Sequence, residues 1–191
     1  MKKRSKKKKG RGGILLFLVF VGVVLGLVVF FYQDIFKPIK PIEKKQSVPE
    51  ARKVVLLYFS DSEGEYLIGE KREIIKKGNV KEEAKEVMTE LINGPKGKLI
   101  RTLPPGTKLL GLELNENGIV KVNVDRSLLR DHPGGSEAEM MTVYSMTNTL
   151  ALNFPQIKRV QILIDGKTVE TIAGHLSIKK PVPPNPDLIR R

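Results

Sequence analysis

Between Ile14 and Phe31 the chain reads ILLFLVFVGVVLGLVVFF, eighteen residues without a charge or a strongly polar side chain. Wound as a helix at ~1.5 Å per residue, the run covers ~27 Å, close to the ~30 Å hydrocarbon core of a bilayer. A core helix of a soluble domain would keep one polar face, and this run has none. It therefore has to be buried in lipid, apart from whatever the longer remainder of the chain folds into. Tyr32 follows it, where an amphipathic ring suits the membrane interface. A cleavable signal peptide has a shorter apolar region and a small-x-small cleavage site. Here Phe30-Phe31-Tyr32-Gln33-Asp34 follows, without alanine, so an uncleaved single-pass anchor over 14–32 is expected. Gly22 and Gly26 form a G-x-x-x-G pair within it, a spacing that lets two such helices approach, and dimerisation through it stays open.

Charge gives the orientation. The net charge is +13, but the first thirteen residues hold eight of the 34 basic residues and no acid. By the positive-inside rule this tail, 1–13, stays in the cytoplasm and the rest is extracytoplasmic, on the outer side of the cell membrane. The remaining residues are only mildly basic, so the high charge is a property of the tail and does not indicate nucleic-acid binding. Next to a membrane span, the tail suits anionic lipid headgroups. The chain has no cysteine, which excludes disulfides, a thiol nucleophile, a lipoprotein-type anchor and thiolate metal sites.

Residues 33–52 contain Pro38, Pro41 and Pro49 and are expected to be a semi-extended spacer. A domain over 53–178 follows, then a Pro-rich tail over 179–191, expected to be extended or disordered. Within the domain, Lys53 to Phe59 is nearly all apolar and predicts a strand covered on both faces. Tyr66 to Ile75 reads as a second strand. Asn79 is placed to cap a helix over Val80 to Asn93, ended by Gly94-Pro95. Leu110, Leu112 and Leu114, then Val120, Val122 and Val124, alternate with less apolar residues, the pattern of a hairpin. A three-residue loop, Glu116 to Gly118 with Gly118 left-handed, pairs Leu114 with Val120, Leu112 with Val122 and Glu113 with Lys121. Gly134-Gly135 leads into a helix, with Ser136 and Glu139 as an S-x-x-E capping box, running from about Glu137 to Asn153. Met140, Val143, Thr147, Leu150 and Phe154 lie near one face of it. A strand from Ile157 to Ile164, an Asp165-Gly166 turn and a returning strand from Lys167 to Ile172 close the pattern. The order β-β-α-β-β-α-β-β predicts an α+β fold, a mixed or antiparallel sheet with two helices packed on it, preceded by one transmembrane helix.

Catalytic patterns are missing from the sequence. His132 and His175 are the only histidines and fall in no H-x-x-x-H or H-E-x-x-H spacing, so neither a metal site nor another cofactor is expected. Ser136 is better explained as a helix cap than as a nucleophile. Asp61, Glu63 and Glu65 stop short of a calcium loop and read as a solvated turn. Gly134, Gly135, Asn148 and His175 remain as candidate partner-binding residues. Asn148 also reads as a helix-to-loop hydrogen bond, because a mid-helix Asn needs a partner.

Several blocks resemble the GerMN family of sporulation and spore-germination domains. They are Pro105 to Leu110, Val122 to Ser127, Gly134-Gly135-Ser136 with Glu139, Thr147 to Leu150, Val160 to Gly166, and Gly174-His175 leading to Pro181. The resemblance implies an extracytoplasmic α/β module, similar to the ring-building motif of proteins that assemble between two membranes during sporulation. It implies no catalytic residues. The expected function is therefore a non-enzymatic, membrane-anchored interaction or assembly module of the bacterial cell envelope, related to sporulation or germination. Its partner would be an envelope protein or a second copy. The alternatives are a peptidoglycan-binding module and an envelope hydrolase.

Overall fold

The computed structural model describes residues 12–35 and 51–190, with side chains of the first segment described over 16–32. The segments fall in two compact units, Met1–Val48 and Pro49–Arg191. The basic tail up to Arg11, most of the linker and Arg191 lie outside the described residues.

The first unit contains one helix, α1 (Gly12–Ile35), 24 residues long and ~36 Å at helical rise. Every side chain from Leu16 to Tyr32 is exposed in it. Among the described residues no helix is long and apolar enough to cross a membrane: the described side chains, 16–32, account for ~26 Å of a ~30 Å hydrocarbon core.

In the second unit the predicted elements appear in order, except for the last strand. They are β1 (Arg52–Ser60), β2 (Leu67–Ile75), α2 (Val80–Asn93), β3 (Leu109–Leu114) and β4 (Ile119–Val124), then α3 (Ser127–Arg130), α4 (Ser136–Asn153) and β5 (Arg159–Ile164). Asn79 caps α2 as expected, its side chain accepting from the Lys81 N–H at 2.9 Å. The β3–β4 register also matches, with Leu112 opposite Val122, Glu113 opposite Lys121 and Leu114 opposite Val120. Gly118 closes that hairpin with φ +74°, and a Cβ there would lie 2.8 Å from the Gln156 carbonyl. Asn115 adds what the alternation did not show: its Oδ1 accepts from the N–H groups of Asn117 and Ile119. The four-residue α3 was not expected.

The strands form two sheets rather than one. β1 and β2 are an antiparallel pair, while β3, β4 and β5 form a mixed sheet with β5 parallel to β4. The parallel pair needs a crossover, and α3 and α4 supply it. One core joins the layers, with Val55, Leu57 and Phe59 of β1, Val87, Met88 and Leu91 of α2, Val120 and Val122 of β4, and Met146 and Leu150 of α4 all buried. Val54 is 61% and Leu56 36% exposed, so the first half of β1 is not covered on both faces as predicted, while Tyr58 and Ser60, farther along the same face, are buried.

The sheets stay separate because α4 occupies the second edge of β1. Asn153 Oδ1 accepts from the Leu56 N–H at 2.9 Å and its Nδ2 donates to the Leu56 carbonyl at 2.6 Å. Thr149 Oγ1 accepts from the Tyr58 N–H at 3.0 Å, and Ser145 Oγ donates to the Tyr58 carbonyl at 2.6 Å. Ser60 then pairs with Ile100 through both backbone bonds. Positions 145, 149 and 153 form a single helical stripe, and here that stripe acts as a neighbouring strand. α4 therefore buries this polar stripe and its apolar face together.

The end of the domain departs most from expectation. Asp165 and Gly166 make the turn with φ +47° and +78°, but only Lys167 returns to pair, as a single bridge to Ile164. Val182 instead bridges to β5 at Val160, through two bonds of 2.9 and 2.8 Å. The Pro-rich tail, expected to be extended or disordered, continues through a short 3₁₀ turn, Pro186–Leu188, and Ile189 bridges to Leu67 on β2.

Candidate functional site

At the start of α4, the loops before Thr107 and before Ser136 enclose a cleft of about 380 Å³. Leu103, Pro104 and Met141 give it buried apolar walls, and Ile100, half exposed, lies at its mouth with Pro133. Asp131 and Glu137 line it as exposed acids.

Behind the cleft runs a chain of hydroxyls. Thr142 Oγ1 donates to the Thr102 carbonyl at 2.5 Å, and Thr102 Oγ1 lies 2.6 Å from Ser145 Oγ. His132 joins it through Nε2, 3.0 Å from Thr142 Oγ1. Its Nδ1 accepts from the Gly134 N–H at 3.0 Å, so in the neutral ring Nε2 carries the proton and donates to the threonine. A general base needs the opposite polarity. Burial pushes the His132 pKa down, partly countered by the Glu139 charge. A ¹⁵N-resolved NMR titration is expected to find His132 as the Nε2–H tautomer, protonating below the usual ~6.5. An Nδ1–H tautomer would reopen histidine-dependent hydrolysis.

The helix entrance corrects the predicted capping box. Gly135 is the cap residue, with no side-chain bond, and Ser136 already lies inside α4. Gly134 and Gly135 have φ of +82° and +86°, a backbone conformation that L side chains rarely adopt and glycine adopts freely. Glu139 is fully buried and faces the loop after the Asp165-Gly166 turn. Its Oε1 accepts from the N–H groups of Ile172 (2.7 Å) and Ala173 (2.9 Å), and Oε2 from that of His175 (2.8 Å). Burial alone would raise its pKa, but these backbone donors hold it below the ordinary carboxylate value. The exposed His175 is thus fixed through its backbone. Residues 172–175 thus bond to α4 rather than to β5.

The profile of the Germane family, described as sporulation and spore germination, matches residues 56–170. This chain belongs to that family. The match spans β1 to the loop after β5, and the Gly174-His175 block lies beyond it. The Germane domain is similar to a candidate lipoprotein from Clostridium perfringens, at 25% identity over 73% of this chain and 93% of that one, TM-score 0.51. It shares its fold with the tandem GerMN domains of the sporulation protein GerM from Bacillus subtilis, at 20% identity and TM-score 0.50. That match covers 73% of this chain but 47% of the tandem, about half its length. No curated protein matches in sequence.

Two further residues of the Germane domain show what local patterns conceal. Asn148 lies about two and a half turns beyond Glu139 on α4 and is fully buried. Its Nδ2 donates to the Asn185 carbonyl at 2.8 Å and its Oδ1 accepts from the Asn185 N–H at 2.7 Å, so its amide holds the C-terminal tail. Asp61, expected in a solvated turn, is 7% exposed. Its Oδ1 accepts from the N–H groups of Glu65 and Tyr66, and its Oδ2 lies 3.7 Å from Arg190. Among the described residues no group of three or more His, Cys, Asp or Glu is placed to hold a metal. Gly134 and Gly135 immediately precede α4 and the cleft residue Glu137, whereas His175 meets the helix through Glu139 and does not line the cleft. Ile100, Thr102 and Met141 of the cleft had no sequence signal, because only the folded loops bring them together.

Proposed function

We propose that this Germane protein is a single-pass, membrane-anchored module of the bacterial cell envelope. It faces outward from the cell membrane and works by contact with another envelope protein or with a second copy, in sporulation or germination. The observation that carries this reading is α1. A helix of 24 residues that exposes uncharged side chains throughout 16–32 has no stable place in water. Eight cations precede it within the first thirteen residues, which favours a cytoplasmic N-terminus. The family supports the sporulation or germination context, and the His132–Thr142 polarity gives no support to a hydrolase.

Topology is the direct test. Alkaline phosphatase fused after Arg191 is expected to be active in intact cells, and to lose activity when Leu18 and Val24 are both replaced by Arg. Crosslinking in intact envelopes is then expected to trap the chain with itself or with a second protein. An inactive fusion would rule out the outward-facing domain, and a chain that stays monomeric and uncaptured would rule out the contact role.

A further inference from the structure

The cleft at the start of α4 has a composition that selects its occupant. Its volume, about 380 Å³, suits a few side chains rather than a whole folded surface. Leu103, Pro104 and Met141 are buried apolar walls, while Ile100 is 50% exposed beside them. A half-exposed isoleucine next to a concave apolar surface gains from an apolar side chain laid over it.

The charges around the opening point the same way. Glu137 lines the cleft, and Gly64 brings the loop carrying Glu63 and Glu65 to it. These three carboxylates are exposed and have no ion-pair partner among the described residues. Asp131 is balanced by Arg130. Arg101, the cation of the lining, has its guanidinium on the Ile92 and Asn93 carbonyls at 2.5 Å, closing the end of α2. The opening is thus acidic on a chain whose residues after the first thirteen are net basic.

We propose that this cleft docks an extended protein segment that places an aliphatic or proline side chain next to Lys or Arg. The proposal rests on the contact role given above and names the chemistry of the partner. The test uses the full chain in detergent micelles and fluorescence anisotropy with three labelled peptides: Lys-Ile-Pro-Ile-Lys, the same peptide with Glu for Lys, and the same with Ser for Ile and Pro. The first is expected to bind and the other two are not. Glu137→Lys and Ile100→Ser, both at exposed positions, are each expected to weaken it roughly fivefold, the size of one exposed charge or partial apolar contact. Circular dichroism should stay unchanged. Equal binding of the acidic peptide, or no binding of the basic one at millimolar concentration, overturns the proposal. So does unchanged affinity in both variants, which marks adsorption to the micelle. Self-association that Ile100→Ser relieves makes a second copy the occupant, and displacement of the peptide by purified peptidoglycan makes it a wall polymer; either result also overturns it. None of these outcomes reads membrane topology, so the fusion experiment fails or stands independently.

Discussion

Glu139→Ala is expected to lower the stability of the domain by about 3–5 kcal/mol, because it strips three backbone donors of a charged acceptor in one step. The donors, the N–H groups of Ile172, Ala173 and His175, lie 2.7 to 2.9 Å from the carboxylate. Glu139→Gln keeps the volume and one oxygen. That oxygen still serves Ile172 and Ala173, while the new amide NH₂ meets the N–H of His175, so a smaller loss of about 1–2 kcal/mol is expected. The pH dependence follows from the sign of the shift. The folded pKa of Glu139 lies below its ordinary value, so the unfolded chain takes up the proton first as pH falls. The stabilisation is complete above the unfolded carboxyl pKa and is lost as pH drops through the folded one. Urea unfolding followed by tyrosine fluorescence, usable because the chain has no tryptophan, should show the gap between wild type and Glu139→Ala at pH 7 and a narrower gap at pH 3. Hydrogen exchange at residues 172–176 should quicken in the same variant. A gap below about 1 kcal/mol, or one independent of pH, would show that the loop is held by other means.

What the sequence made legible was local. The Asn79 cap, the alternation on both sides of Gly118 and the Asp165-Gly166 turn each depend on neighbours within a few residues, and each is found where expected. Glu139 shows how a local pattern misleads. Ser136 and Glu139 have capping-box spacing, yet the buried carboxylate meets donors more than thirty positions away, and a local pattern contains no record of them. The tail is a different case. Its prolines argue against regular structure, but they do not prevent Val182 and Ile189 from bridging to strands. For α4 a usable signal was present: from Met140 to Asn153 the sequence has no charged residue. A helix without a charged face over four turns is mostly buried, so Ser145 and Thr149 had to find partners inside. The cleft had no such signal, because Ile100 and Met141 meet only after α4 has docked on the edge of β1.

That docking leads to the second large effect. Replacing Ser145 with Ala and Thr149 with Val together is expected to cost about 2–5 kcal/mol, at roughly 1–3 kcal/mol for each buried backbone group deprived of its hydroxyl. Both hydroxyls serve one residue: Thr149 takes the N–H of Tyr58 and Ser145 gives to its carbonyl. Tyr58 is 6% exposed, so water does not readily replace them. The single variants are expected to be non-additive, since loosening either bond lets the same stretch of β1 move. Thr149→Ser, which keeps the hydroxyl, is the control and should stay within about 1 kcal/mol of wild type. Asn153→Leu alone should cost less, because Leu56 is 36% exposed and water can reach its backbone groups. The more telling readout is the freed strand edge. Once α4 no longer covers it, β1 presents unpaired N–H and C=O groups beside the exposed Val54 and Leu56, which is the condition for edge-to-edge association. The double variant should therefore aggregate with increased β-structure on mild heating, while Glu139→Ala, destabilised to a similar degree with the β1 edge still covered, should unfold without that gain. If both variants aggregate alike, loss of stability alone accounts for the behaviour and the polar stripe of α4 has no special part in guarding the edge.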